Sequence, residues 1–521
     1  MSNTFKVSDS SYGEFLVHFL KEHPNALLGE PSIDKVVNFK QLLEAVNDVA
    51  ENMENNTLSK GDIVHFVGKN SIALCVSYCS LAFKGWIPVG SSSSTPLPEL
   101  IANINNTFSN GLLISKEIWD KISDGLTSHT LKIVFVYELI PQHDLKVKIT
   151  KHDHHCIERD DLVLKDDLTK VSFMFMTSGS TGSPKSVMVD HRQYFRKDMG
   201  LGLLQSKGPQ FTKSTINCQP FANAGGKMCF IMSVISGHNL MMFDKFDEES
   251  YLNAFVKYEC NYIFATPAII NSLSKFDKLS DYDLSGVRLI LCGGAKLDVE
   301  RVKFLKERSK MSDNVLFVEG YGSSESGSSF FRFSYINDIK EGFPISESQE
   351  IKLINVKTGK ECESEEEGEL WVKSPATMLG YMNDETKTRS VLTDDGFYKT
   401  GDLCYIKENT LFISGRLKEV IKYRAFSVNA SELEKVLVSH PLVAAAGVIA
   451  EPHEDHGEIP VAFVVSKSEI GENDLIVYVA KHVAEYKQIR KVYFVSHIPL
   501  NNGNKVDKNY LRKYLKDMQE N

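Results

Sequence analysis

Val171-Ser172-Phe173-Met174-Phe175-Met176 leads directly into Thr177-Ser178-Gly179-Ser180-Thr181-Gly182-Ser183-Pro184-Lys185. The apolar run has the length of a buried strand, and it empties into hydroxyls, two glycines and a closing lysine. Glycine lets successive backbone N–H groups turn toward one anion, hydroxyls add donors, and the ammonium adds charge. This is the donor set a polyphosphate needs. Pro184 stands where the P-loop of NTPases has its second glycine, so the segment is not that motif. A flexible Ser/Gly linker would explain neither the apolar run before the loop nor the Pro-Lys that ends it.

Working outward, apolar runs of strand length alternate with amphipathic stretches of helix length: Asp62 to Val67, Leu74 to Lys84, Leu112 to Ile114, Lys132 to Val136 and Tyr262 to Ala265. That alternation predicts an α/β fold. Leu289 to Leu291, then Cys292-Gly293-Gly294-Ala295, then Asp298 to Lys310 reads as strand, tight turn and helix, and such turns lie at the ligand-binding edge of open α/β sheets. From about Glu350 short alternating runs predict a β-rich subdomain. After Gly415 small α/β elements follow: a helix at Ala430 to Ser439, strands at Ala445 to Ala450 and Val461 to Val465, and a helix at Glu472 to Tyr486. The expected division is a large N-terminal domain, 1–415, a hinge at 416–420 and a small C-terminal domain, 421–521. Ser91 to Ser94 reads as a loop.

Composition narrows the classes. With 521 residues, 42% hydrophobic and 24% charged, the chain has the averages of globular proteins and length for several units. A net charge of −9 argues against nucleic acid or an anionic membrane as partner, since both need a basic surface. The most apolar stretch, Met228 to Phe243, is broken by Ser233, Ser236, Gly237, His238 and Asn239, so no membrane span is expected. Nine cysteines without paired spacing, and no signal-peptide pattern or peroxisomal tail, point to a reduced, cytoplasmic setting.

The Thr177 to Lys185 loop resembles the signature of the adenylate-forming superfamily, which includes acyl-CoA synthetases, 4-coumarate ligases, peptide-synthetase adenylation domains and beetle luciferases. Other segments of that family follow in order. Tyr321-Gly322-Ser323-Ser324-Glu325 resembles the family's Tyr-Gly-x-Thr-Glu, which implies that Ser324 meets the α-phosphate and Glu325 holds Mg2+. Gly293-Gly294-Ala295 is similar to the segment lining the adenine, and Gly368-Glu369-Leu370 with Gly380-Tyr381 to a structural motif. Tyr398-Lys399-Thr400-Gly401-Asp402 implies that Asp402 holds the ribose hydroxyls, and Gly415 to Lys422 that Arg416 is a second ribose contact and Lys418 the hinge. Pro499 to Lys505 resembles the tail that carries the catalytic lysine, Lys505. The resemblance also implies that His191, with Asn223 and Gly226 in Pro220 to Gly226, lines the acid, although His191 reads equally well as a satisfied structural histidine.

The resemblance implies a mobile α+β C-terminal domain and a two-step ligase using ATP and Mg2+. A small carboxylic acid becomes its acyl-adenylate, the hinge swings, Lys422 and Ala425 approach the site, and coenzyme A takes the acyl group. A luciferase-like oxygenase and a binding protein of the same fold are the alternatives. Ser186, Asn504 and Ala425 replace family glycines, and Asn223 stands where many relatives have histidine. Two other clusters read as structure: His152-Asp153-His154-His155-Cys156 as a solvated loop rather than a zinc site, and Glu361 to Glu369 as a charged turn without calcium-loop spacing.

Overall fold

The computed structural model describes residues 11–54, 57–93, 95–126, 130–140, 145–153, 168–177, 185–191, 213–295, 297–345, 350–424, 426–453, 455–500 and 506–520. The chain divides into two compact units, Met1–Lys340 with Lys373–Tyr398, and Glu341–Val372 with Lys399–Asn521. The β-rich stretch therefore groups with the C-terminal elements, and residues 416–420 fall inside the second unit.

The first unit contains two eight-stranded sheets among its described residues. One runs Gly380–Tyr381, Lys185–Asp190, Val171–Thr177, Ile87–Ser92, Ile63–Gly68, Gly111–Ser115, Ile133–Ile140 and Lys146–Asp153. Its middle strands pair in parallel, and Ile63–Gly68 is buried along its whole length, as a strand covered on both faces must be. The helix Ile72–Phe83 packs beside it and is buried on nearly every side, which its run of apolar and small residues allows. The second sheet runs Gly327–Tyr335, Leu316–Ser323, Leu289–Gly293, Tyr262–Ala265, Ser214–Asn217, Asn239–Met242, Leu27–Glu30 and Lys35–Asn38. The apolar stretch from Met228 is core, shared between the helix Ala224–Ser236 and the strand Asn239–Met242.

In the second unit a five-stranded sheet runs Phe343–Pro344, Thr410–Arg416, Tyr398–Lys407, Gly368–Lys373 and Glu350–Ile354. Another runs Phe426–Asn429, Val420–Tyr423, Gly457–Ser466 and Val443–His453, with Lys491–Phe494 added in parallel. Asn429 Nδ2 donates to the Ser414 carbonyl, and its amide fills the space that a Cβ on Gly415 would need, so the two sheets meet closely there. The mixed α/β architecture is as the sequence predicts.

Three local expectations need correction. His152 and Asp153 are not in a loop: they end the strand Lys146–Asp153, which pairs antiparallel with Ile133–Ile140, and the His152 ring lies 5.2 Å from that of Trp119. His154 to Cys156 lie outside the described residues. Ser91 and Ser92 close the strand Ile87–Ser92 rather than forming a loop, because the Ser91 hydroxyl has partners in His65 and Asn103. The helix from Glu472 stops at Ala480, beyond which the His482 ring donates back to the Tyr478 carbonyl.

Candidate active site

Thr177 and Lys185 are direct antiparallel partners, so the phosphate-loop candidate leaves and re-enters one sheet at adjacent strands. Ser178, Gly179, Ser180, Thr181 and Gly182 lie outside the described residues. Lys185 begins the strand Lys185–Asp190, whose other neighbour is Gly380–Tyr381. Backbone bonds zip the segment after Ala376 across two elements. Met378 N–H donates to the Glu325 carbonyl at 2.7 Å, Leu379 N–H to Met188 at 2.9 Å and Met382 N–H to Ser186 at 2.9 Å.

This zipper puts Tyr381 between the loop lysine and the metal candidate. Lys185 Nζ is 4.9 Å from the centroid of the Tyr381 ring, a cation–π distance, and the Tyr381 hydroxyl donates to Glu325 Oε1 at 3.0 Å. Burial, and then the negative charge of Glu325, push the Tyr381 phenol upward, so it stays a donor. Ser186 is absorbed without disturbance: its hydroxyl turns to Met176 Sδ at 3.3 Å.

Ser324 and Glu325 occupy the tip of a hairpin between Leu316–Ser323 and Gly327–Tyr335. Ser323 pairs with Gly327 across three residues, and Gly327 has φ +65, the left-handed residue such a loop requires. The Ser323 and Ser326 hydroxyls lie 3.1 Å apart and each accepts from the other residue's N–H, which fixes the tip. The neighbouring parallel strand ends at Gly293, paired with Gly320. A Cβ on Gly293 would approach the Gly320 carbonyl to 2.8 Å, and Gly294 has φ +88. Gly293, Gly294 and Ala295 thus leave the same carboxyl edge of the sheet as Tyr321 and Gly322, where α/β sheets take ligands.

The three acid-pocket candidates have local partners. His191 Nδ1 accepts from the Tyr12 N–H at 3.1 Å, which satisfies the first turn of the helix Tyr12–Glu22, and burial lowers the pKa of the imidazole. Asn223 precedes the helix Ala224–Ser236, and its carbonyl accepts from Lys227 N–H at 3.1 Å. Gly226 is a packing necessity: a Cβ there would lie 2.3 Å from the Pro220 carbonyl.

Lys227, one turn beyond Asn223, went unremarked in the sequence. It is fully buried, and its Nζ has no hydrogen-bond partner among the described residues. Ring centroids of Phe173, Phe175, Tyr78 and Phe66 surround it at 4.3, 4.6, 5.2 and 5.5 Å. Each ring face attracts a cation by about 0.5 to 2 kcal/mol. An isolated buried ammonium costs on the order of tens of kcal/mol by ideal solvation. Burial prevails and drives the Lys227 pKa far down. The only local signal is a lysine placed immediately before the apolar run Met228 to Met232.

In the second unit, Asp402 and Arg416 are cross-strand partners, with Arg416 Nε 2.9 Å from the largely buried Asp402 carboxylate. Thr400 Oγ1 donates to the Leu370 carbonyl and Gly401 N–H to Glu369, which fixes the turn before Asp402. Lys418 lies in the 3-10 turn Leu417–Glu419. Lys422 is exposed on Val420–Tyr423, its N–H donating to Glu458. Lys505 lies outside the described residues, as do Asn504 and Ala425. The segment carrying Lys505 is bounded by an antiparallel bridge between Leu500 and Val506. Lys508 was also missed: its Nζ sits 2.6 Å from Glu419 and 3.1 Å from Glu434, which ties the last helix to the turn that holds Lys418.

Among the described residues no three His, Cys, Asp or Glu side chains gather as a metal site. A single carboxylate suits Mg2+, which takes one or two protein ligands and completes its shell with phosphates and water. Among those residues, too, no helix is long and apolar enough to cross a membrane.

A family model described as AMP-binding enzyme matches residues 21–382, and one described as AMP-binding enzyme C-terminal domain matches residues 432–505. A probable CoA ligase of Humulus lupulus is 30% identical over 497 residues, covering 92% of this chain and 87% of its own. A 4-coumarate–CoA ligase of Pinus taeda is 28% identical over 511 residues, covering 92% and 90%. Of solved structures, ATP-bound MatB from Rhodopseudomonas palustris is similar with a TM-score of 0.80 at 22% identity, covering 97% of this chain and 99% of its own. The o-succinylbenzoate CoA synthetase of Bacillus subtilis in complex with its acyl-adenylate intermediate gives 0.78 at 22%, covering 96% and 97%.

Proposed function

The chain belongs to the AMP-binding enzyme family, and from that premise we propose that it activates a carboxylic acid as its acyl-adenylate and passes the acyl group to coenzyme A. The observation that carries this reading is the Lys185–Tyr381–Glu325 cluster, in which one tyrosine meets a cation suited to phosphate at its ring face and a hard oxygen ligand at its hydroxyl. Relatives that are CoA ligases support the thiol acceptor.

In the first step the acid's carboxylate attacks the α-phosphorus of ATP, and the bond to pyrophosphate breaks. Lys185 and the loop before it hold the phosphates, Ser324 donates to the α-phosphate, and Lys505 stabilises the charge that develops there. Glu325 is the residue that would hold Mg2+, whose contribution is neutralisation of phosphate charge. Asp402, kept oriented by Arg416, accepts from the ribose hydroxyls. In the second step the thiol attacks the acyl carbon and AMP leaves. Lys418 is the hinge that withdraws Lys505 and brings Lys422 forward between the steps. Cytoplasm is the compartment proposed.

The test is a panel of short, long-chain, aromatic and dicarboxylic acids with ATP and Mg2+, followed by pyrophosphate release and thioester formation with coenzyme A. Acid-dependent release plus thioester is expected. Release without thioester, accompanied by oxygen uptake, would overturn the acceptor. No release with any acid would overturn the activation step.

A further inference from the structure

We infer that Lys227 is a positioning residue, which pins the helix carrying Asn223 and Gly226 to the strand feeding the phosphate loop through its seat among the rings of Phe173, Phe175, Tyr78 and Phe66. This rests on the acyl-adenylate reading of the same site. Phe173 and Phe175 are two residues apart on Val171–Thr177, so both rings point to one face, and the strand reaches Thr177 two residues later. On the other side, Lys227 N–H donates to the Asn223 carbonyl, so the first turn of the acid-pocket helix moves with it. The cage also reaches the third acid-pocket candidate. Tyr78 donates to the Tyr12 hydroxyl at 3.1 Å, the Tyr12 ring packs 5.2 Å from Phe173, and the Tyr12 N–H donates to His191.

No described charge answers the amine. The ionisable groups on the packed elements are the phenols of Tyr78 and, behind it, Tyr12; the thiols of Cys75 and Cys79 on Ile72–Phe83; Cys229 on the lysine's own helix; His65 on Ile63–Gly68; and, on Tyr12–Glu22, the exposed Glu14, Lys21 and Glu22 with His18, which pairs with Glu22. Burial keeps those three thiols protonated, and His65 turns its ring to Ser91 and Thr107. The strand Val171–Thr177 has no ionisable side chain. A buried lysine without a counter-charge lowers stability relative to an apolar residue of its shape, and its place between the two substrate-binding elements points to a role in their alignment.

The linkage has a definite sign. The folded state prefers the neutral amine, whereas the unfolded chain holds its proton to about pH 10. Between those two values the folded protein gains on the unfolded by up to about tenfold per pH unit as pH rises. Lys227→Met keeps the stem and removes the titration. Urea unfolding from pH 6 to 10 should show this slope in the natural protein and lose it in Lys227→Met. Pyrophosphate release followed from that range to lower pH should fall in the natural protein where the amine takes up its proton, and that limb should be absent from Lys227→Met. Lys227→Ala, if it folds, should raise KM for the acid at every pH. An identical unfolding slope and an identical acid limb in Lys227→Met would overturn the inference while leaving the ligase reading standing. No release by the natural protein with any acid would sink the ligase reading and the positioning role together.

Discussion

Tyr381 and Glu325, 56 positions apart in the chain, share a 3.0 Å hydrogen bond whose donor ring also faces Lys185. The phenol orients the carboxylate proposed for Mg2+ while its π face attracts the loop ammonium. Tyr381→Phe keeps the ring and removes the hydrogen bond. A bond to a charged group contributes about 1.5 to 3 kcal/mol, so the rate of adenylate formation should fall about tenfold or more, with a higher Mg2+ requirement. Titrating Mg2+ in both proteins checks this, and equal Mg2+ dependence would remove Tyr381 from the site.

Asp402→Asn removes the charge that Arg416 orients. The KM for ATP should rise about tenfold or more, since charge-assisted hydrogen bonds to ribose are lost, while the KM for coenzyme A stays the same. Steady-state kinetics with each substrate varied in turn separates the two.

Lys508→Met leaves Glu419 and the half-buried Glu434 without their shared cation. Burial already raises the Glu434 pKa, with Lys508 opposing, so the variant should raise it further. Breaking a buried pair from one side costs about 3 kcal/mol, and the loss should appear in denaturant unfolding of the second unit. If the midpoint does not move, the ion triplet carries no load.

His65 is buried, neutral and held by Ser91, and burial lowers its pKa to about 3. An unfolded histidine titrates near 6.5, so the folded state binds fewer protons between those values. The stability this group confers is whole above pH 6.5 and is lost as pH falls toward 3, at about 1.4 kcal/mol per pH unit. His65→Gln should flatten that part of the stability curve, and unfolding measured from pH 4 to 7 tests the difference.

Local pattern made much of the fold legible. Tyr262–Ala265 and Ala430–Ser439 fall where their apolar periodicity predicts, and Val171–Thr177 extends one residue past its apolar run. Misreadings occurred where polar residues sit in regular structure. Lys146–Asp153 is an exposed edge strand whose charges read like a loop, and Ser91 is satisfied by partners far away in sequence. Of the site, Asp402 and Arg416 were each legible from motifs, but their ion pair comes from strand register. Tyr381 registered only as part of a structural motif, because its use depends on a hairpin and a strand meeting. Lys227 was invisible as a site because four rings from three other elements make its cage.

The central claim is that this chain joins a carboxylic acid to AMP reversibly, and exchange of labelled pyrophosphate into ATP reads that step without any thiol. With an acid that supports pyrophosphate release, the natural protein should catalyse exchange that requires the acid and Mg2+ and needs no coenzyme A. Glu325→Gln should lose most of that exchange while remaining folded. Exchange that ignores the acid, or its absence when the acid and Mg2+ are present, would contradict the account.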